Sequence, residues 1–348
     1  MADGDAVLEL VELGFQWQGL DPFIMTMHHV DRYGKGSDKQ GPVDSLAGRR
    51  IGSDFAGIDG WNMYHGDAVP GFPQHPHRGF ETVTVVRQGY VDHSDSLGAT
   101  ARYGGGDVQW LTTGSGIQHA EMFPLIQEHQ DNPLELFQIW LNLPPDSKMV
   151  DAYFGMLWSE TIPTVLAPGV SVDVIAGTLD GHEAPAAPPD SWASHKSGDM
   201  AIWLIRIDKG ASWTLPAAPS GVNRMLHCFE GTDLTIDGIP ISSGIGAQVV
   251  ADVAVPITNT GTNNGKPAEL LLLQGRPIGA PVFQLGPFVM NTPEELQTAF
   301  DDYRRTGFGG WPWESRDPVH ARTDGRFALH ADGTVEHREM QGSSVPVS

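Results

Sequence analysis

Gly71-Phe72-Pro73-Gln74-His75-Pro76-His77-Arg78-Gly79-Phe80-Glu81 decides how the chain is read, because it sets two histidines two residues apart just before an apolar run. In extended backbone, alternate side chains leave from the same face, so His75 and His77 reach one point. Pro76 keeps the residue before it out of helical geometry and lies between the histidines without sharing their face. Farther on, Gly114-Ser115-Gly116-Ile117-Gln118-His119-Ala120-Glu121 repeats the arrangement after a glycine turn, with His119 and Glu121 as a second same-face pair. A His-x-His or a His-x-Glu alone is common in surface turns. Together, each behind a glycine-containing turn and beside apolar strands, the two pairs point to one metal site. Three imidazoles and a carboxylate form an N3O donor set that suits iron, manganese, nickel, cobalt or zinc and is poor for calcium. An octahedral ion so held keeps two positions for substrate or dioxygen.

Working outward, 42 glycines and 26 prolines among 348 residues alternate with short runs rich in Val, Ile, Thr, Phe and Trp. Such spacing predicts many short strands joined by turns, an all-β sandwich or barrel rather than a βαβ fold. Strands are expected at Phe80 to Val86, Asp107 to Leu111, Leu134 to Leu141, Met200 to Ile207, Arg224 to Phe229 and Glu269 to Gln274. A glycine follows an apolar strand in each half, at Gly89 and Gly231, a weak sign of two related β-domains. Pro144-Pro145 marks a boundary, which divides the chain into 1–145, 146–291 and 292–348. The last segment opens with a helix over Asn291 to Arg305, signalled by Thr292, Pro293 and the acidic Glu294-Glu295. Beyond Ser315 the chain reads as peripheral, with a hairpin of Arg326 to Leu329 and Thr334 to His337 through Asp332-Gly333.

Lys plus Arg number 21 against 43 Asp plus Glu, a formal charge of −22. That balance disfavours nucleic acid, whose binding draws on basic side chains meeting phosphates, and no basic stripe occurs. A single cysteine, Cys228, rules out an intrachain disulfide and a thiolate metal cage. Flanked by Leu226 and Phe229, it reads as a buried, inert thiol. The first residues lack a secretory pattern, and no stretch reaches the ~18 apolar residues that span a bilayer. A cytoplasmic, soluble protein is expected.

Among the remaining polar residues, Glu81 shares parity with His75 and His77 if the strand runs unbroken through Gly79. It is then a candidate fifth ligand or a partner of a ligand imidazole, the alternative being a salt bridge to Arg78 or Arg102. Gln138, of opposite parity to Phe137 and Ile139, is a candidate to face a pocket. His28, His29, His65, His93, His129, His182, His195, His227, His320, His330 and His337 show no comparable pairing and read as surface or turn residues.

His75-Pro76-His77-Arg78-Gly79-Phe80-Glu81-Thr82-Val83-Thr84, Asp107-Val108-Gln109-Trp110, Gly114 to Met122, and Phe137-Gln138-Ile139-Trp140-Leu141-Asn142-Leu143-Pro144 closely resemble the pirin family. So do Asp21-Pro22-Phe23, Gly275-Arg276-Pro277-Ile278-Gly279 and Gly286 to Thr292, so the likeness runs from about residue 15 to 315. The resemblance implies a bicupin of two antiparallel jelly-roll barrels with a short C-terminal helix. It implies iron in the first barrel, held by His75, His77, His119 and Glu121, and no metal in the second, which has no His-x-His between Asp146 and Met290. The cofactor expected is one divalent or trivalent ion, first of all Fe2+, with Mn, Ni, Co, Cu or Zn as the other candidates.

Several pirins are described as quercetin 2,3-dioxygenases, so the resemblance implies a flavonol substrate and O2. The mechanism expected on chemical grounds has the metal lower the pKa of the flavonol's 3-hydroxyl and Glu121 act as the catalytic proton acceptor. Gln138 would orient the ligands. The rival is a non-enzymatic, redox-sensing module whose metal sets the shape of an acidic surface read by a protein partner. Neither oligomeric state nor partner is legible.

Overall fold

The computed structural model describes residues 4–261 and 267–340. Strands and turns dominate, and the expected segments form the strands Phe80–Gln88, Val108–Thr112, Asn132–Asn142, Ala201–Ile207, Asn223–Glu230 and Ala268–Gly275. The chain folds into two compact units, one of Met1–Met27, Ile139–Pro144 and Glu160–Ala280, the other of His28–Gln138, Pro145–Ser159 and Pro281–Ser348. The consecutive segments 1–145, 146–291 and 292–348 do not coincide with these interleaved units. One reason lies at the start of the chain, where Val7–Glu12 pairs antiparallel with Ile245–Val249.

In the first unit a sheet runs in the order Val7–Glu12, Ile245–Val249, Asn223–Glu230, Ala268–Gly275, Ala201–Ile207, Val170–Ala176, Thr164–Ala167. A smaller sheet of Ser212–Leu215, Val255–Asn259, Leu234–Ile236 and Ile239–Ile241 supplies the other side of the core. Alternate residues of both, such as Trp203, Ile205, Leu226, Leu272, Ile236 and Ile257, pack into one apolar cluster. Period-two alternation is what lets each strand bury one face.

In the second unit a sheet runs Val335–Arg338, Arg326–Leu329, Thr100–Gly104, Tyr90–Asp95, Ile117–Met122, Gly71–His77. Another carries Tyr153–Leu157, Val108–Thr112, Phe80–Gln88 and the part of Asn132–Asn142 up to Gln138 in adjacent positions. Their facing residues, among them Val86, Leu111, Leu136, Tyr103 and Ile117, form a second core. The helix Pro293–Thr306 belongs to this unit and starts with the anticipated chemistry: Thr292 accepts from the Glu295 amide, Glu295 reaches back to the Thr292 amide, and Pro293 occupies the first turn.

The hairpin Arg326–Leu329 and Val335–Arg338 forms as anticipated, but the tail is not peripheral. Arg326–Leu329 pairs with Thr100–Gly104 and extends the sheet. Arg326 is buried against Asp107 at 2.7 Å, and Arg102, bidentate on Asp92, also donates to the carbonyls of His320, Ala321 and Asp324. A sequence scan weighs local polarity, and the polar residues here pair with groups more than 200 positions away.

Among the described residues, no helix is long and apolar enough to cross a membrane.

Candidate metal centre

Gly71–His77 pairs antiparallel with Ile117–Met122, and the register sets His75 directly opposite His119. Same-face alternation then brings His77 and Glu121 to the same side. The ligand-type nitrogens of His75, His77 and His119 lie within 4.8 Å of one another, and their rings approach to 4.4–4.9 Å between centroids. Glu121 lies at the edge of this group, its Oε2 3.8 Å from His119 Nε2. A glycine-containing turn leads into the segment of His119 and Glu121. Gly114 and Gly116 have φ of +45° and +132°, and a Cβ on Gly116 would stand 2.6 Å from the Phe308 ring.

Two of the three imidazoles, His75 and His77, are held in a defined tautomer. His75 Nδ1 donates to the Pro73 carbonyl at 2.9 Å and His77 Nδ1 to that of Pro287 at 3.2 Å, which leaves each Nε2 as the lone-pair nitrogen. Burial lowers the pKa of His75 to about 4 and holds His77 and His119 well below the usual histidine value, with neighbouring imidazoles adding to the effect. Neutral rings are the form that binds metals. His119 is fully buried, yet neither of its ring nitrogens has a hydrogen-bond partner. Buried polar atoms are nearly always paired, so an orphaned imidazole between two others fits a cation that takes up its lone pair. The carboxylate fits as well. Burial pushes Glu121 upward, while His93 and the hydrogen bonds from Gln138 and Thr84 pull it back toward the ionised form. Gln138 Nε2 donates to Glu121 Oε2 at 2.6 Å and Thr84 Oγ1 to Oε1 at 3.2 Å.

Gln138 thus faces this site, as its parity suggested. Glu81 does not join it. Gly79, at φ +86°, separates Gly71–His77 from Phe80–Gln88 and cancels the shared parity, so Glu81 accepts from Thr112 Oγ1 at 2.6 Å, opposite it in register. His93 corrects the reading of the unpaired histidines as surface residues. It is fully buried, sits opposite Glu121 in register, and its ring lies 5.5 Å from that of His119. Its Nε2 meets Asp95 Oδ2 at 3.1 Å. His29 and His227 are buried too. The alternation in Tyr90–Asp95, where His93 shares parity with Val91, was the available signal. Thr84 carried none, since a threonine in an apolar strand is ordinary. Cys228 is buried, as anticipated.

Comparison with known proteins agrees with this architecture. The pirin family model matches residues 16–141, and that of the pirin C-terminal cupin domain matches residues 202–309. Pirin-1 of Arabidopsis thaliana is 38% identical over 243 residues, which cover 69% of this chain and 78% of that protein. Pirin of Homo sapiens is 34% identical over 255 residues, 72% of this chain and 81% of that one. A crystal structure of quercetin 2,3-dioxygenase from Acinetobacter baumannii superposes with a TM-score of 0.70 at 25% identity, covering 88% of this chain and 98% of that one. Two barrels, matched along most of their length in sequence and in fold, make this chain a member of the pirin family.

Proposed function

We propose that the chain is a metal-dependent cupin dioxygenase that opens a flavonol such as quercetin with O2, with His75, His77, His119 and Glu121 holding one iron ion. The observation that carries the reading is the meeting of three neutral imidazoles within 4.8 Å beside a buried carboxylate. The name of the Acinetobacter baumannii structure supports the choice of substrate.

A bound ion supplies Lewis acidity, which lowers the pKa of a coordinated substrate hydroxyl. The protein supplies the rest. Glu121 accepts the hydroxyl proton on a carboxylate oxygen, and its burial makes it a better base than an exposed carboxylate. Gln138 and Thr84 hold that carboxylate in place. His77, His119 and Glu121 are all buried, which keeps bulk water from the reacting region and strengthens these interactions.

Metal analysis of protein purified without added metal, followed by Fe2+ loading and a quercetin assay for O2 uptake and flavonol bleaching, tests the proposal. Uptake that disappears in His119→Ala supports it. No uptake with any flavonol, or an unchanged rate in His119→Ala, overturns it.

The charge of −22 favours a second reading, a metal-dependent binding module with an acidic surface. Capture of a basic protein partner by the metal-loaded form alone, without flavonol turnover, would select it.

A further inference from the structure

In the other unit, Ala201–Ile207, Ala268–Gly275 and Asn223–Glu230 lie side by side, and their inward residues fill the apolar core. At one end the same parity continues through Arg224 and Gln274. Gln274 is the register partner of both Ala201 and Arg224. An arginine and an amide therefore occupy inward positions that apolar side chains take two residues farther along each strand. A pocket of about 410 Å³ opens there, bordered also by Leu179, Trp203 and Pro216. That volume is in the range of small-molecule sites.

Arg224 is 1% exposed. Its Nη1 and Nη2 donate to the carbonyls of Ala251 and Pro216 at 3.1 and 2.8 Å, and its buried Nε has no hydrogen-bond partner. No carboxylate among the described residues pairs with it. Burial lowers its pKa only to about 10, so the charge persists at neutral pH. Gln274 Nε2 donates to the Asp199 carbonyl at 3.1 Å, while its buried Oε1 is without a partner. Of the acidic residues at the pocket, Asp199 is taken by Arg276 at 2.6 Å and Asp180 is exposed on a turn. A buried cation offset only by carbonyl dipoles, next to an orphaned acceptor, is costly for a fold to keep without a use.

We propose that this pocket binds a small hydroxylated carboxylic acid, with its carboxylate on Arg224, a hydroxyl donating to Gln274 Oε1, and its apolar body against Trp203 and Leu179. The anion neutralises the cation, and the hydroxyl supplies the missing donor. This site does not depend on the histidine cluster of the other unit.

Titration calorimetry on the full chain with 4-hydroxybenzoate tests the assignment, with benzoate, benzamide and inorganic phosphate as comparisons. Saturable binding of 4-hydroxybenzoate is expected, equal in wild type and His119→Ala. Benzoate and benzamide bind more weakly. Arg224→Met weakens binding about tenfold or more, the loss expected for a charged hydrogen bond, and Arg224→Lys recovers part of it. Because Arg224→Met removes a buried group, Ala217→Trp on the exposed rim gives an independent check, blocking the pocket with Arg224 in place. No saturable binding by wild type, undiminished binding by Ala217→Trp, or phosphate binding as tight as that of 4-hydroxybenzoate would overturn the assignment.

Discussion

Replacing Gln138 with leucine probes whether Glu121 is a metal ligand whose position is set by its hydrogen bonds. The amide donates at 2.6 Å to Oε2, the oxygen that lies 3.8 Å from His119 Nε2, whereas Thr84 donates at 3.2 Å to Oε1. A hydrogen bond to a charged group contributes about 1.5–3 kcal/mol. At about 1.4 kcal/mol per tenfold, Gln138→Leu should lower metal affinity roughly 10- to 100-fold, the range typical of groups that orient ligands. Thr84→Val removes the longer contact and should cost less, about threefold to tenfold. Competition with a chromophoric chelator at fixed pH measures both, and near-ultraviolet circular dichroism checks that each variant is folded. A folded Gln138→Leu that holds metal within about twofold of wild type, or a larger loss in Thr84→Val, would refute this account of the carboxylate.

Other consequences can be checked separately. Arg326→Met leaves Asp107 buried with only the amides of Gly104 and Ser159, each at 3.0 Å, to compensate its charge, so a loss of about 3 kcal/mol is expected. Urea unfolding should show this as a midpoint lower by about 1 M, partly restored by adding Asp107→Asn; a shift under about 0.3 M would contradict the role given to the tail. Burial pushes the Cys228 thiol up to about 12, so Ellman's reagent should label it only after unfolding, and rapid labelling of native protein would show the residue misplaced. Lys148 Nζ donates to the carbonyls of Gly79 and Val289 at 2.7 and 3.1 Å, and burial lowers its pKa from 10.5 to about 8. Its folded value lies below its unfolded value, so the unfolded chain binds more protons between about pH 8 and 10.5. Wild type should therefore gain stability relative to Lys148→Met as pH rises through that window, by at most about 3 kcal/mol. Parallel pH profiles for the two proteins would refute the assignment.

Much of the histidine cluster was legible because strand parity is local. His75 with His77, and His119 with Glu121, share faces by spacing alone, and glycine turns bound both segments. The same rule left Glu81 open, since its parity with the histidines held only if the strand ran unbroken through Gly79, and that glycine at positive φ ends the strand. It was applied too narrowly at His93, whose partner across the sheet is Glu121 rather than another histidine in its own strand.

Period-two apolar runs, turn residues and a capping sequence determined by themselves that this chain is all-β with a C-terminal helix, since each depends on neighbours a few residues away. Tertiary structure alone decided that His75 stands opposite His119, that Gln138 and Thr84 grip Glu121, and that the tail completes a sheet on Thr100–Gly104. It alone also showed Arg224 buried without a carboxylate partner among the described residues. Register between strands distant in sequence, and the burial that follows from it, are set by how whole sheets pack, and no short window of sequence carries that information.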